Sequence, residues 1–192
     1  MKNPGDKVKK KFKKSIFYDS IAVVFQQGDL LDYGKPICKG IMISMRQKAI
    51  DGISVGDRFT VTRVFNESEM YYFADISRDY NPVHFDERFA RVKGFSGRIC
   101  HGLLVGSMLT EIGGQVGWLA THMSFDFKKP VYLNDTISCE LEITHVDEKG
   151  RAKARAVFTN GGGQVVLIAH LGGVLPGEAE KEVMRQMLAE GD

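Results

Sequence analysis

The stretch GRICHGLLVGSMLTEIGGQVGW, Gly97 to Trp118, decides how the rest of the chain must be arranged. Leu104, Met108, Ile112 and Val116 recur at helical spacing, and Leu103 and Leu109 widen the apolar surface. A helix that is apolar nearly all round has to be enclosed by other elements. Gly106, Gly113 and Gly114 each cost about 1 kcal/mol relative to alanine inside a helix. Bare backbone at those positions lets a neighbour pack closely. The stretch therefore reads as one buried helix opening near Gly102.

The segments after it alternate. MSFDFKKPV does so from Met123, and TISCELEITHV sets Ile137, Cys139, Leu141 and Ile143 on one side. RAKARAVF alternates through Ala152, Ala154, Ala156 and Phe158, and VVLIAHLGGVL reads as a last, more buried strand. DEKG (147–150) and TNGGGQ (159–164) are turns short enough to make antiparallel neighbours of the strands they join. Ahead of the helix, GDRFTVTRVF reads as a strand. Asn66 with Glu69 forms a capping pair that opens a helix through MYYFADISRD, expected to end at Pro82. Asp86 then caps a short turn of helix. This order predicts an α+β fold, with the long helix packed against an antiparallel sheet. The fold spans residues 53–176, with a short amphipathic helix over 177–192.

Residues 1–52 show no sustained apolar period and have no assigned fold, although Ile16, Phe17, Ile21, Val24 and Phe25 share one side of a short helix. The net charge is +2 over 192 residues. Seven lysines against Asp6 give residues 1–14 a charge of +6, so the body carries −4. The Lys7–Lys14 arm is read first as a solvated terminus, with nucleic acid or anionic membrane as the alternative contacts. Asp19 interrupts the apolar stretch behind the arm and no small-residue cleavage site follows, so export is not expected. Cys38, Cys100 and Cys139 are odd in number and lack a CxxC, which excludes a disulfide framework and points to the cytoplasm.

The chemistry is concentrated in SRDYNPVHFD, Ser77 to Asp86. Pro82 holds Asp79 and His84 across a bend and not along one helix face. A carboxylate and an imidazole within reach of one water can exchange protons with a reacting carbon–carbon double bond. An amide at a helix start can hold the negative charge that develops on a thioester oxygen. Gly102 offers such an amide, and its missing side chain permits close approach.

FADISRDYNPVHFDERFA followed by FSGRICHGLL resembles the MaoC-like (R)-specific enoyl-CoA hydratase and dehydratase family, the hydratase 2 group with the hot-dog fold. The matching residues are Asp79, Asn81, Pro82, His84 and Asp86, then Phe95, Ile99, His101 and Gly102. The resemblance implies a catalytic pair of Asp79 and His84, a carbonyl-binding amide at Gly102 and a brace at Asn81. It also implies a substrate-facing hydroxyl one or two turns into the helix, at Ser107 or Thr110. The activity implied is reversible hydration of trans-2-enoyl-CoA to (R)-3-hydroxyacyl-CoA, with an acyl-CoA substrate and no metal or other cofactor. A homodimer or dimer of dimers is implied as well. Arg78 departs from the family, standing where many members carry glycine and setting a cation beside Asp79.

Other readings have less behind them. Acyl-carrier-protein thioesters are an alternative substrate for the same site. A non-catalytic acyl-CoA sensor with a basic arm would need neither Asp79 nor His84, and a thioesterase on this fold would place its acid and base elsewhere. A metal held by Asp79, His84 and His101 lacks the helical His-x-x-x-His spacing. TNGGGQ has no Gly-Lys-Ser/Thr after it, and no Gly-x-Ser-x-Gly elbow occurs. His101 reads as a packed, hydrogen-bonded residue, and His122, His145 and His170 as solvent or sheet positions.

Overall fold

The computed structural model describes residues 36–190, with side chains from residue 44. The Lys7–Lys14 arm and the short helix expected over 16–25 therefore lie outside the described residues. One compact unit spans Ile41–Asp192. It begins earlier than the boundary expected after residue 52, because helix α1 (Pro36–Asp51) contributes Met45, Ala49 and Ile50 to the core. The uninterrupted apolar run Ile41–Ile43 blurs the helical period there, which is why the sequence gives no warning of it.

Strand β1 (Arg58–Val64) is followed by helices α2 (Glu67–Ser77), α3 (Pro82–Phe85) and α4 (Glu87–Val92). Next come α5 (Gly102–Gly106) and α6 (Met108–Val116), then strands β2 (Leu119–Phe127), β3 (Thr136–Val146), β4 (Arg151–Asn160) and β5 (Val165–Val174), and helix α7 (Glu178–Glu190). The five strands form one antiparallel sheet in the order β1-β3-β4-β5-β2. The alternation read in β3 and β4 is the burial pattern observed. Ile137, Cys139, Leu141 and Ile143 face the core, as do Ala152, Ala154, Ala156 and Phe158. Three alanines at the sheet's centre leave room for a helix to lie close.

The buried helix is two helices. Ser107 breaks it, with its hydroxyl donating to Leu104 O at 2.6 Å and its backbone N–H shared between Leu103 O and Leu104 O. Thr110 N then bonds back only three residues, to Ser107 O. A Gly106–Ser107 pair is a common site for such a kink. Leu104, Val105, Met108, Leu109, Ile112 and Val116 are buried, while Leu103, Thr110 and Gly114 leave one stripe exposed, so the sheet encloses the helix on one side only.

Close approach occurs at two glycines of this region, and not where the sequence alone places all three. A Cβ on Gly106 would lie 2.9 Å from the Phe125 ring, and one on Gly102 would lie 2.5 Å from Phe127. Gly114 has nothing within 4 Å, and Gly113 only the Trp118 carbonyl at 3.9 Å. β2 is thus pressed onto the helix through its aromatic side chains.

Candidate active site

The reading of Asn66 holds in full. Its side chain accepts from Glu69 N while the Glu69 carboxylate accepts from Asn66 N, and the box starts α2. Met70 and Ala74 bury the inner face of that helix. The helix stops at Ser77, before Pro82, because Arg78 turns left-handed (φ 59°, ψ 24°) and donates its N–H to Ala74 O. Pro82 instead opens α3 at its first position, where a missing N–H does no harm.

The four residues between the helices are tied to one another. Asp79 N donates to Ser77 Oγ at 3.2 Å, and Asn81 N donates to Asp79 Oδ1 at 3.2 Å. Asn81 Oδ1 in turn accepts from Val83 N and caps α3, which carries His84. Asn81 therefore holds the carboxylate with its backbone and the imidazole's helix with its side chain. No ion pair joins Arg78 to Asp79 among the described residues; the guanidinium acts on Tyr80.

Asp79 Oδ2 and His84 Nε2 lie 3.8 Å apart. That is beyond hydrogen-bond length, yet one water about 2.8 Å from each atom fits across the gap. The His84 side chain is 9% exposed and that of Asp79 is 50% exposed. His84 Nδ1 lies 2.8 Å from Ile99 O, and because a carbonyl only accepts, Nδ1 carries the proton. In the neutral ring, Nε2 is then a lone pair directed towards the carboxylate. Burial pushes the His84 pKa below its ordinary 6.5; the carbonyl of Ile99 and the carboxylate of Asp79 oppose that, and His101 adds to it.

Both side chains line a cavity of about 600 Å³, and Gly102 lines it too. Its other walls are mostly apolar, among them Phe73, Phe95, Val105 and Phe127, with Lys128 and Lys129 contributing charge. Cys100 also lines the cavity; burial pushes its thiol pKa up to about 12. A Cβ at residue 102 would meet the Phe127 ring, which would have to swing outward to admit any side chain there.

Ser107 and Thr110 do not join this group. Each hydroxyl donates to a carbonyl of its own helix, Ser107 to Leu104 O and Thr110 to Ser107 O. Neither lines the cavity, and Thr110 faces a smaller one of about 180 Å³. The break at Ser107 reorients the second turn, which a helical projection of the sequence cannot anticipate.

His101 is closer to the pair than its reading as a packed residue suggests. It is 1% exposed, donates from Nε2 to Asp79 O at 2.9 Å and stacks on His84 with ring centroids 3.8 Å apart. The signal available in the sequence was a polar ring placed directly before the glycine that opens the helix. Asp79, His84 and His101 offer three ligand atoms within 4.8 Å of one another. A metal bound by both imidazoles would lie in the plane of each ring. Stacked rings 28° apart do not allow that within a bond of about 2.1 Å.

Residues 51–161, more than half the chain, match the MaoC like domain family. A mitochondrial 3-hydroxyacyl-[acyl-carrier-protein] dehydratase of Arabidopsis thaliana is 40% identical over 87 residues, 44% of this chain and 52% of that protein. The chain thus spans about half the length of that relative. The (R)-specific enoyl-CoA hydratase of Aeromonas caviae is 32% identical over 120 residues, 59% of this chain and 90% of that protein. Its solved structure superposes with a TM-score of 0.62, at 30% identity over 65% of this chain and 98% of that one. The ChsH1-ChsH2 complex of Mycobacterium tuberculosis, at 20% identity, shares the fold with a TM-score of 0.58 over 64% of this chain and 98% of that chain.

Proposed function

Because this chain belongs to the MaoC-like domain family, we propose that it is a hydro-lyase that reversibly hydrates trans-2-enoyl-CoA to (R)-3-hydroxyacyl-CoA in fatty-acid metabolism. The observation that carries the reading is the pairing of Asp79 Oδ2 with His84 Nε2 on the wall of the cavity that Gly102 lines. Water held between the two atoms attacks the β carbon, an O–C bond forms and the π electrons move onto the thioester as an enolate. The amide of Gly102 stabilises the oxygen that gains charge. The pair takes a proton from the water and returns one to the α carbon, so the site is unchanged after turnover. Neither a metal nor a redox cofactor enters this sequence. The reverse reaction is dehydration through the same groups.

The apolar walls suit an acyl chain, and the Arabidopsis relative's name favours a second carrier, acyl carrier protein, for the same chemistry. We place the working unit as a homodimer in the cytoplasm. β2 is an edge strand whose Leu119 and Phe127 are 71% and 55% exposed, and no lysine or proline within it blunts that edge.

The test follows the loss of enoyl-thioester absorbance with crotonyl-CoA. Asp79→Ala and His84→Ala should each lower turnover by about 10²–10⁴-fold. A parent enzyme that binds short and medium enoyl-CoAs without converting them would replace this reading with acyl-CoA sensing. Comparing CoA and acyl-carrier-protein substrates of one chain length by kcat/KM identifies the carrier.

A further inference from the structure

We propose that His101 is a positioning residue that fixes the acid of the site relative to its base and to the helix amide. The inference rests on the hydratase reading and extends it to a residue outside the proton-transfer pair. Its starting point is an anomaly: His101 Nδ1 is buried without a hydrogen-bond partner among the described residues. Leaving such an atom unsatisfied is destabilising, and a ring wedged beside Phe73 and Phe85 would pack as well if it were phenyl. What phenyl cannot do is donate to the Asp79 carbonyl.

Among the described residues that bond alone joins the Asp79 backbone to the segment opening the buried helix. The other hydrogen bonds at Asp79 run to Ser77 and Asn81, each two residues away, and the Tyr80 hydroxyl ties the loop back to Asp75. These bonds hold the loop to its own flanking helices and not to the segment that opens the buried helix. His101 Nε2 reaches across 22 residues of sequence to hold the backbone of Asp79 at 2.9 Å. One segment, Ile99 to Gly102, thereby governs the site. Ile99 O fixes the His84 ring, His101 fixes Asp79 and stacks on His84, and Gly102 presents the amide. A loop free to drift by an ångström from its partner groups loses the near-attack geometry, worth about 10²-fold in rate.

Two substitutions separate positioning from packing. His101→Phe keeps the ring and removes both the donor and the orphaned nitrogen. His101→Gln places an amide N–H where Nε2 stands. We expect His101→Phe to lower kcat by about 10²-fold with KM for crotonyl-CoA little changed and no fall in Tm, and His101→Gln to restore most of kcat. Amide exchange at Asn81, whose N–H is bonded to Asp79 Oδ1, should quicken in His101→Phe and return towards the parent rate in His101→Gln. Full kcat in His101→Phe, or kcat falling in both variants in step with Tm, overturns the proposal. Unchanged exchange at Asn81 does so as well. An inert parent enzyme sinks the hydratase reading alone, since the exchange measurement still decides whether His101 holds the loop.

Discussion

At the scale of single residues, the pair depends on the protonation of one ring. Burial lowers the His84 pKa below its ordinary 6.5, and in the proposed reaction the lone pair of Nε2 accepts the proton. The acid limb of kcat/KM should therefore titrate with an apparent pKa below 6.5 and be absent from His84→Gln; an inflection at or above 6.5 would contradict this. Linkage runs the same way. The unfolded chain takes up this proton first, so the stability contributed by neutral His84 is complete above about pH 6.5 and is lost as pH falls through the lower folded value. Asp79, His84, Gly102 and Asn81 were legible because each performs a local task, at a bend, a helix start or a cap, that dictates its residue type. Ser107 and Thr110 do not line the cavity, and the helix break that redirects them is a hydrogen-bonding choice absent from any apolar period.

At the scale of elements, the ends of α2 show what the sequence conveys well and badly. The Asn66–Glu69 box is a fixed spacing and was readable. The stop at Arg78 was not, because proline advertises a helix end more loudly than an arginine that adopts a left-handed backbone. Glycine holds that conformation without the clash that a Cβ brings. Arg78→Gly should thus stabilise the protein by about 0.5–1 kcal/mol, visible as a higher denaturant midpoint with unchanged slope. Turnover should survive, since Arg78 forms no ion pair with Asp79 among the described residues. A lower midpoint would mean that the guanidinium supports the fold through Tyr80 or another neighbour. Helix α1 went unread for the opposite reason: among its described side chains the buried ones are Met45, Ala49 and Ile50, too sparse a stripe to stand out from the apolar residues before it.

At the scale of the whole molecule, the β3-β4-β5 meander followed from alternation and short turns. The places of β1 beside β3 and β2 beside β5, made by longer connections, did not, nor did the incomplete enclosure of the helix. A single copy leaves the stripe of Leu103, Thr110 and Gly114 open, and the apolar side chains of β2 beside it. The homodimer proposed above accounts for both exposures if it forms across this face. Light scattering at micromolar concentration should give twice the 21.4 kDa chain mass, and Leu119→Lys should shift the population towards single chains. A monomeric parent would leave the edge of β2 without that explanation. Compactness also has a chemical consequence at Cys100. An enoyl thioester is a soft electrophile, and a thiolate would add to its β carbon and form a lasting thioether. The folded interior keeps that sulfur protonated, with its pKa about 12, so the proposed substrate would lie beside a disarmed nucleophile. Loss of the native packing would re-arm it, turning the metabolite into an alkylating agent of the very chain that handles it.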